Sequence, residues 1–101
     1  MTLKDVKAQL VTILRSHYAF DEYEFNDIFM GKLVKEIDLD SIALLELFLV
    51  VEEGFDLNIK LSSRINMEEA MDSSVDKFID MIALEILKIF RDRSSHPKIW
   101  L

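Results

Sequence analysis

The sequence contains no cysteine, one proline and two glycines in 101 residues. Without cysteine there is no disulfide, no thiolate nucleophile and no thiolate metal ligand. So little glycine and proline argues against a turn-rich all-β fold, and no glycine loop of the kind that cradles phosphate is present. The longest apolar run, Leu47 to Val51, covers five residues, whereas a membrane-spanning helix needs about 20. Met1-Thr2-Leu3-Lys4-Asp5 opens an amphipathic pattern and does not read as a signal peptide. There is no basic excess either: 19 acids against 12 lysines and arginines leave a net charge of −7. A nucleic-acid partner is therefore not expected, because binding a phosphate backbone needs a basic surface. The acidic balance favours a soluble protein that meets basic surfaces; the lack of cysteine permits the cytosol without proving it, and a cytoplasmic monomer is the expectation.

Half of the residues are apolar, enough for a core. A globular chain of this length buries about two-thirds of its unfolded surface. The acid is concentrated: residues 21–60 hold eleven acids and three bases, while residues 1–20 and 91–101 each carry a net +2. A site for a basic partner would lie in that middle stretch, although a solvated acidic face explains the same charge.

Helical periodicity organises the chain. Leu3, Val6, Leu10, Ile13, Leu14 and His17 recur at steps of three and four, which predicts a helix over 3–17 with Thr2 and Asp5 as its capping pair. Residues 18–40 carry Phe20, Tyr23, Phe25, Ile28, Phe29, Leu33, Val34 and Ile37, too apolar for a slack linker. An ordered, functional loop is expected there, with a helical turn near Asn26 to Met30 ended by Gly31. Asp40 as a cap and Gly54 as a stop bracket a second strong helix over 41–53. That helix is apolar nearly all round, so it is either mostly buried or keeps an apolar face for a partner. Residues 55–66 read as a loop with Phe55, Leu57, Ile59 and Leu61 turned inward, followed by a short helix near 66–71. Ser73-Ser74-Val75-Asp76 caps a last helix running to about residue 92, with Val75, Phe78, Ile79, Ile82, Ile86, Ile89 and Phe90 on one face. Ser94-Ser95-His96-Pro97 breaks it. Met81, Leu84 and Leu87 form a second stripe, over which the apolar tail Lys98-Ile99-Trp100-Leu101 is expected to fold. The expected fold is all-α: a helical domain over 1–92 with three main helices, a short third helix and a long first loop, plus a tail over 93–101.

The chemistry screen removes most candidates. Glu52-Glu53 and Glu68-Glu69 are carboxylate neighbours that surface solvation explains. Asp38-Leu39-Asp40 fails as a calcium loop, because the fifth, sixth and twelfth positions are Ile42, Ala43 and Leu49. His17 and His96 lack any spaced ligand partner; His17 edges the core. No Gly-x-Ser-x-Gly elbow exists. What remains is Asp40-Ser41-Ile42, where Asp40 caps a helix and Ser41 stands at its start with the hydroxyl toward solvent. The helix dipole there favours a negatively charged substituent on that serine. An Asp-Ser cap alone is common and usually structural.

Its surroundings are more specific. Asp38-Leu39-Asp40-Ser41-Ile42-Ala43-Leu44-Leu45-Glu46-Leu47, continued by Val50-Val51-Glu52-Glu53-Gly54-Phe55-Asp56-Leu57-Asn58-Ile59, resembles the acyl carrier protein family. That family has Asp-Ser-Leu at the start of its second helix, then a Glu-Leu pair, a Glu-Glu-x-Phe end and an aliphatic residue four positions after the Phe. The resemblance is sharp over 37–59 and extends as a pattern of helices over about 3–90. It implies a four-helix acyl-carrier-like bundle that is not itself an enzyme. Ser41, flanked by Asp40 and Ile42, would carry a 4′-phosphopantetheine arm transferred from coenzyme A by a phosphopantetheinyl transferase using magnesium. The arm's thiol would hold an acyl group as a thioester, sheltered by interior residues such as Leu45, Phe48 and Ile59. Acyl-loading and acyl-transfer enzymes of fatty acid, lipid or polyketide biosynthesis would dock with basic surfaces on Glu46, Leu49, Glu52 and Glu53.

The sequence departs from the family in places. Asp38 stands where the family often has Gly, Ile42 replaces the commoner Leu, and Ala43 and Leu44 replace an acid and a small polar residue of the fatty-acid-synthesis carriers. This implies a specialised, free-standing carrier. An aminoacyl or aryl carrier is the alternative within the family. A helical adaptor binding a basic or amphipathic helix through the 42–53 face, with Ser41 a mere cap, is the alternative outside it, and an enzyme with Ser41 as nucleophile is the third.

Overall fold

Thr2 starts the first helix in the computed structural model, which describes residues 2–18, 20–37 and 39–95, with side chains up to Asp92. Its Oγ1 accepts from the Asp5 backbone N–H at 3.2 Å, and Asp5 Oδ2 accepts from the Thr2 N–H at 3.1 Å, a reciprocal capping box. These bonds hold the Asp5 carboxyl below its usual range. Helix α1 runs over Leu3–Ser16 and buries Val6, Leu10 and Leu14, one turn apart on a single face. Leu3, at the head of the same stripe, is partly exposed, at 37%.

The long connection to the next main helix is ordered by aromatics. Phe20 is fully buried and meets Phe29 edge-on at 6.2 Å, while Tyr23 stacks on Phe29 at 4.7 Å. Helix α2, over Asp27–Met30, is a single turn capped by Asn26 Oδ1 on the Phe29 N–H at 2.9 Å. Gly31 ends it in the ordinary right-handed region. Phe29 and Ile28 are neighbours on a one-turn helix, and only Phe29 points to the core, leaving Ile28 78% exposed. A 3₁₀ turn follows over Val34–Glu36. The Val34 N–H donates to Ser73 O and the Val75 N–H to Lys32 O, both at 2.8 Å, which staples the connection to the start of the last helix.

Helix α3 spans Ser41–Gly54 and buries Ala43, Leu44, Leu47, Phe48 and Val51. Gly54 is the last helical residue, not a stop beyond it. A Cβ there would lie 2.5 Å from Ile13 Cδ1, so glycine serves the close approach of α1. The left-handed residue that turns the chain is Asp56, at φ 53°, a type that tolerates this region. Of the next apolar residues, Phe55 and Leu61 are buried and Leu57 and Ile59 half-buried. A second 3₁₀ turn, Leu61–Ser63, leads to the short α4, Met67–Met71, capped by Asn66.

Helix α5 spans Val75–Ser95, beginning with Ser74 Oγ accepting from the Lys77 N–H at 3.1 Å. Ser94 and Ser95 still belong to it, past the expected end near residue 92, since serine, unlike proline, keeps its backbone N–H for the helix; His96 and Pro97 lie outside the described residues. Val75, Phe78, Ile79, Ile82, Ala83, Ile86 and Ile89 form its buried face. Of the second stripe, Met81 and Leu87 are half-buried and Leu84 is exposed. The tail expected to cover that stripe, Lys98 to Leu101, lies outside the described residues.

Helix α1 packs against both α5 and α3. Among the described residues there are three long helices, two short ones and no strand, only the isolated bridge Leu33–Ser74. The all-α expectation holds at that level. No helix among the described residues is long and apolar enough to cross a membrane.

Candidate functional site

Ile37 and Leu39, both at most 5% exposed, anchor the chain just ahead of α3. Asp38 lies outside the described residues. Asp40 then takes an extended conformation, its Oδ1 accepts from the Ala43 N–H at 2.8 Å, and its carbonyl accepts from the Leu44 N–H at 2.9 Å. The cap predicted from sequence is thus present. Ser41 is the first residue of the helix and is exposed. Among the described residues its hydroxyl makes no hydrogen bond. Beside it lies an open hollow of about 420 Å³ lined by Lys35, Ile37, Leu39, Asp40 and Met71.

The outward face of α3 runs down from Ser41. At about 100° per residue, Ile42, Glu46, Leu49 and Glu53 fall on one line, with Leu45 and Val50 to either side. All six are exposed, Ile42 at 67% and Leu49 at 52%. Leu45 therefore corrects the expected interior lining: it sits on the outer face, because Leu44 and Phe48 take the inward positions of that turn. Phe48 is buried as expected, and Ile59 is half-buried.

The expected docking acids are not equivalent. Glu53 is exposed. Glu52 is half-buried, and its Oε2 accepts from the Leu61 N–H at 2.8 Å, tying α3 to the 3₁₀ turn. Glu46 is exposed and accepts from the Tyr18 hydroxyl at 2.8 Å. That bond, with some desolvation and the charges of Glu46 and Asp40, raises the Tyr18 pKa. The imidazole of His17, whose ring lies 4.4 Å from that of Tyr18, is buried, and desolvation lowers its pKa against the pull of Glu46 and Asp21. Tyr18 is the residue that sequence reading missed. Its partner is 28 positions away, and only the aromatic placed directly after the first helix hinted at it.

Among the described residues no group of three or more histidines or carboxylates is arranged to hold a metal ion. Comparison of the chain with protein-family models, curated proteins and solved structures finds no match. The functional reading therefore rests on the residues around Ser41.

Proposed function

We propose that this chain is a carrier protein of the acyl carrier type, with Ser41 as the attachment point of a 4′-phosphopantetheine arm. One observation carries the reading: the serine of an Asp-Ser-Ile motif is the exposed first residue of α3, beside its capping aspartate and at the head of an exposed apolar and acidic face. The residues fit the group. The backbone N–H groups of Ser41 and Ile42 precede the first capped donor, so the helix end favours a phosphodiester at that oxygen. The neighbouring hollow gives the arm apolar surface from Ile37, Leu39 and Met71.

In the modification, Ser41 Oγ bonds to the phosphorus that bears the pantetheine. Adenosine 3′,5′-bisphosphate leaves from coenzyme A, and the hydroxyl proton passes to a base of the transferase. The bound arm supplies a thiol for thioester chemistry that a cysteine-free chain lacks. The chain's own part is to present Ser41 rigidly, through the Asp40 cap and the buried Ile37 and Leu39, and to offer partners the α3 face. Three leucine- or isoleucine-sized side chains with two carboxylates suit an enzyme surface of apolar centre and basic rim, which gives fast, steered and weak encounters. The four-helix carrier arrangement would correspond to α1, α3, α4 and α5, with α2 an addition in the first loop.

The test is intact mass after incubation with coenzyme A, magnesium and a promiscuous phosphopantetheinyl transferase. Wild type should gain one arm and Ser41→Ala none. Folded wild type that gains none, beside an active control carrier, overturns the reading. The same exposed stripe favours a second one, a helical adaptor that binds a basic amphipathic helix; there Ser41→Ala leaves partner binding intact.

A further inference from the structure

We propose that Tyr18 is a positioning residue of the docking face: its hydroxyl holds the Glu46 carboxylate in place, so that the face fits a partner presenting a lysine or arginine opposite Glu46 and apolar side chains opposite Ile42, Leu45 and Leu49. The inference rests on the carrier reading. Tyr18 stands between two anchors, buried His17 and fully buried Phe20, with the Phe20 N–H donating to the His17 carbonyl at 2.9 Å. That bracket turns Tyr18 outward, where it is 62% exposed, onto α3 at Glu46. The bond takes one carboxylate oxygen, Oε2, and leaves Oε1 to accept from a partner.

The chemistry of the donor matters. An ammonium at this position would pair with Glu46 and cancel its charge. A phenol remains neutral at pH 7 and orients the carboxylate while leaving its charge intact. Among the described residues no lysine or arginine forms an ion pair with Glu46 or Glu53, so both carboxylates remain available to a cationic partner. A carboxylate already held by one bond also has less side-chain freedom to lose on docking, which favours association without touching the chemical step.

The experiment uses the full chain and measures kcat and KM of arm transfer from coenzyme A by the same transferase at low salt. The proteins are wild type, Tyr18→Phe, Glu46→Gln and the double variant. Tyr18→Phe keeps the ring and should raise KM about threefold with kcat unchanged, a size set by ordering one side chain. In the Glu46→Gln background the same change should have no further effect. Tyr18→Phe with an unaltered or lower KM, or with an equal rise in both backgrounds, overturns the role of Tyr18 and leaves the carrier reading standing. Wild type that takes no arm removes both. Unfolding midpoints of the four proteins separate a docking effect from a folding defect.

Discussion

Helices α3 and α5 are both rich in large apolar residues, yet they dispose of them differently. Among the described residues, four of the eight exposed large hydrophobics, Ile42, Leu45, Leu49 and Val50, belong to α3, and α5 contributes only Leu84. Helix α5 puts its stripe against α1 and keeps most of its charges outside, with Glu85 half-buried and paired to Arg64 and Lys88. Helix α3 buries one face as thoroughly and leaves a second apolar face in water. An exposed apolar face interrupted by carboxylates brings no folding stability, so its use is sought in association.

The sharpest way to break that contrast is truncation on each helix. Ile82→Ala, at a fully buried site, should cost about 3 kcal/mol in urea unfolding. Leu49→Ala should cost less than about 0.5 kcal/mol while slowing arm transfer. Comparable losses at the two sites would mean that the α3 stripe is structural. The adjacent acids sharpen the comparison within α3. Glu52→Ala leaves the Leu61 N–H without its partner and should destabilise by about 1–2 kcal/mol. Glu53→Ala should leave stability within about 0.5 kcal/mol and reduce transfer, more at low salt. If both behave alike in unfolding, the inward role of Glu52 fails. Asp40→Ala, which removes the α3 cap, should cost about 1 kcal/mol, with Ser41→Ala nearly neutral in the same assay.

Two smaller effects are read by pH. The His17 pKa is lowered in the folded state, so its contribution is present above about 6.5, the unfolded value, and is lost as pH falls through the folded one. Urea midpoints at pH 7 and 5 should therefore fall further for wild type than for His17→Gln. The Tyr18 pKa is raised, chiefly by its bond to Glu46. Its contribution is full below about 10 and lost as pH rises through the folded value. An alkaline absorbance titration should find the Tyr18 transition above that of a free tyrosine, and Glu46→Gln should bring it back.

Much of the fold was legible because it depends on near neighbours. The Thr2–Asp5 box, the Asp40 cap and the four-residue spacing of Val6, Leu10 and Leu14 are relations within one turn, written in nearby letters. Leu45 was misread for the opposite reason. It is an apolar residue among apolar residues, and hydropathy alone does not say which member of a crowded turn faces the core. Gly54 was read as a stop, whereas its use is a contact with Ile13, 41 positions earlier. At the candidate site, Ser41 and its cap were visible in the motif, but the division of labour among Glu46, Glu52 and Glu53 was not.

The sequence by itself determined the helices, their caps and the exposed serine at the head of α3, because periodicity, capping and helix ends are local physics. Only the tertiary structure decided which face of an almost wholly apolar helix stays in water, that Glu52 turns inward to Leu61, and that Tyr18 reaches Glu46. Those outcomes depend on which surfaces remain uncovered after α1, α3 and α5 have packed, and packing joins residues that no local pattern brings together.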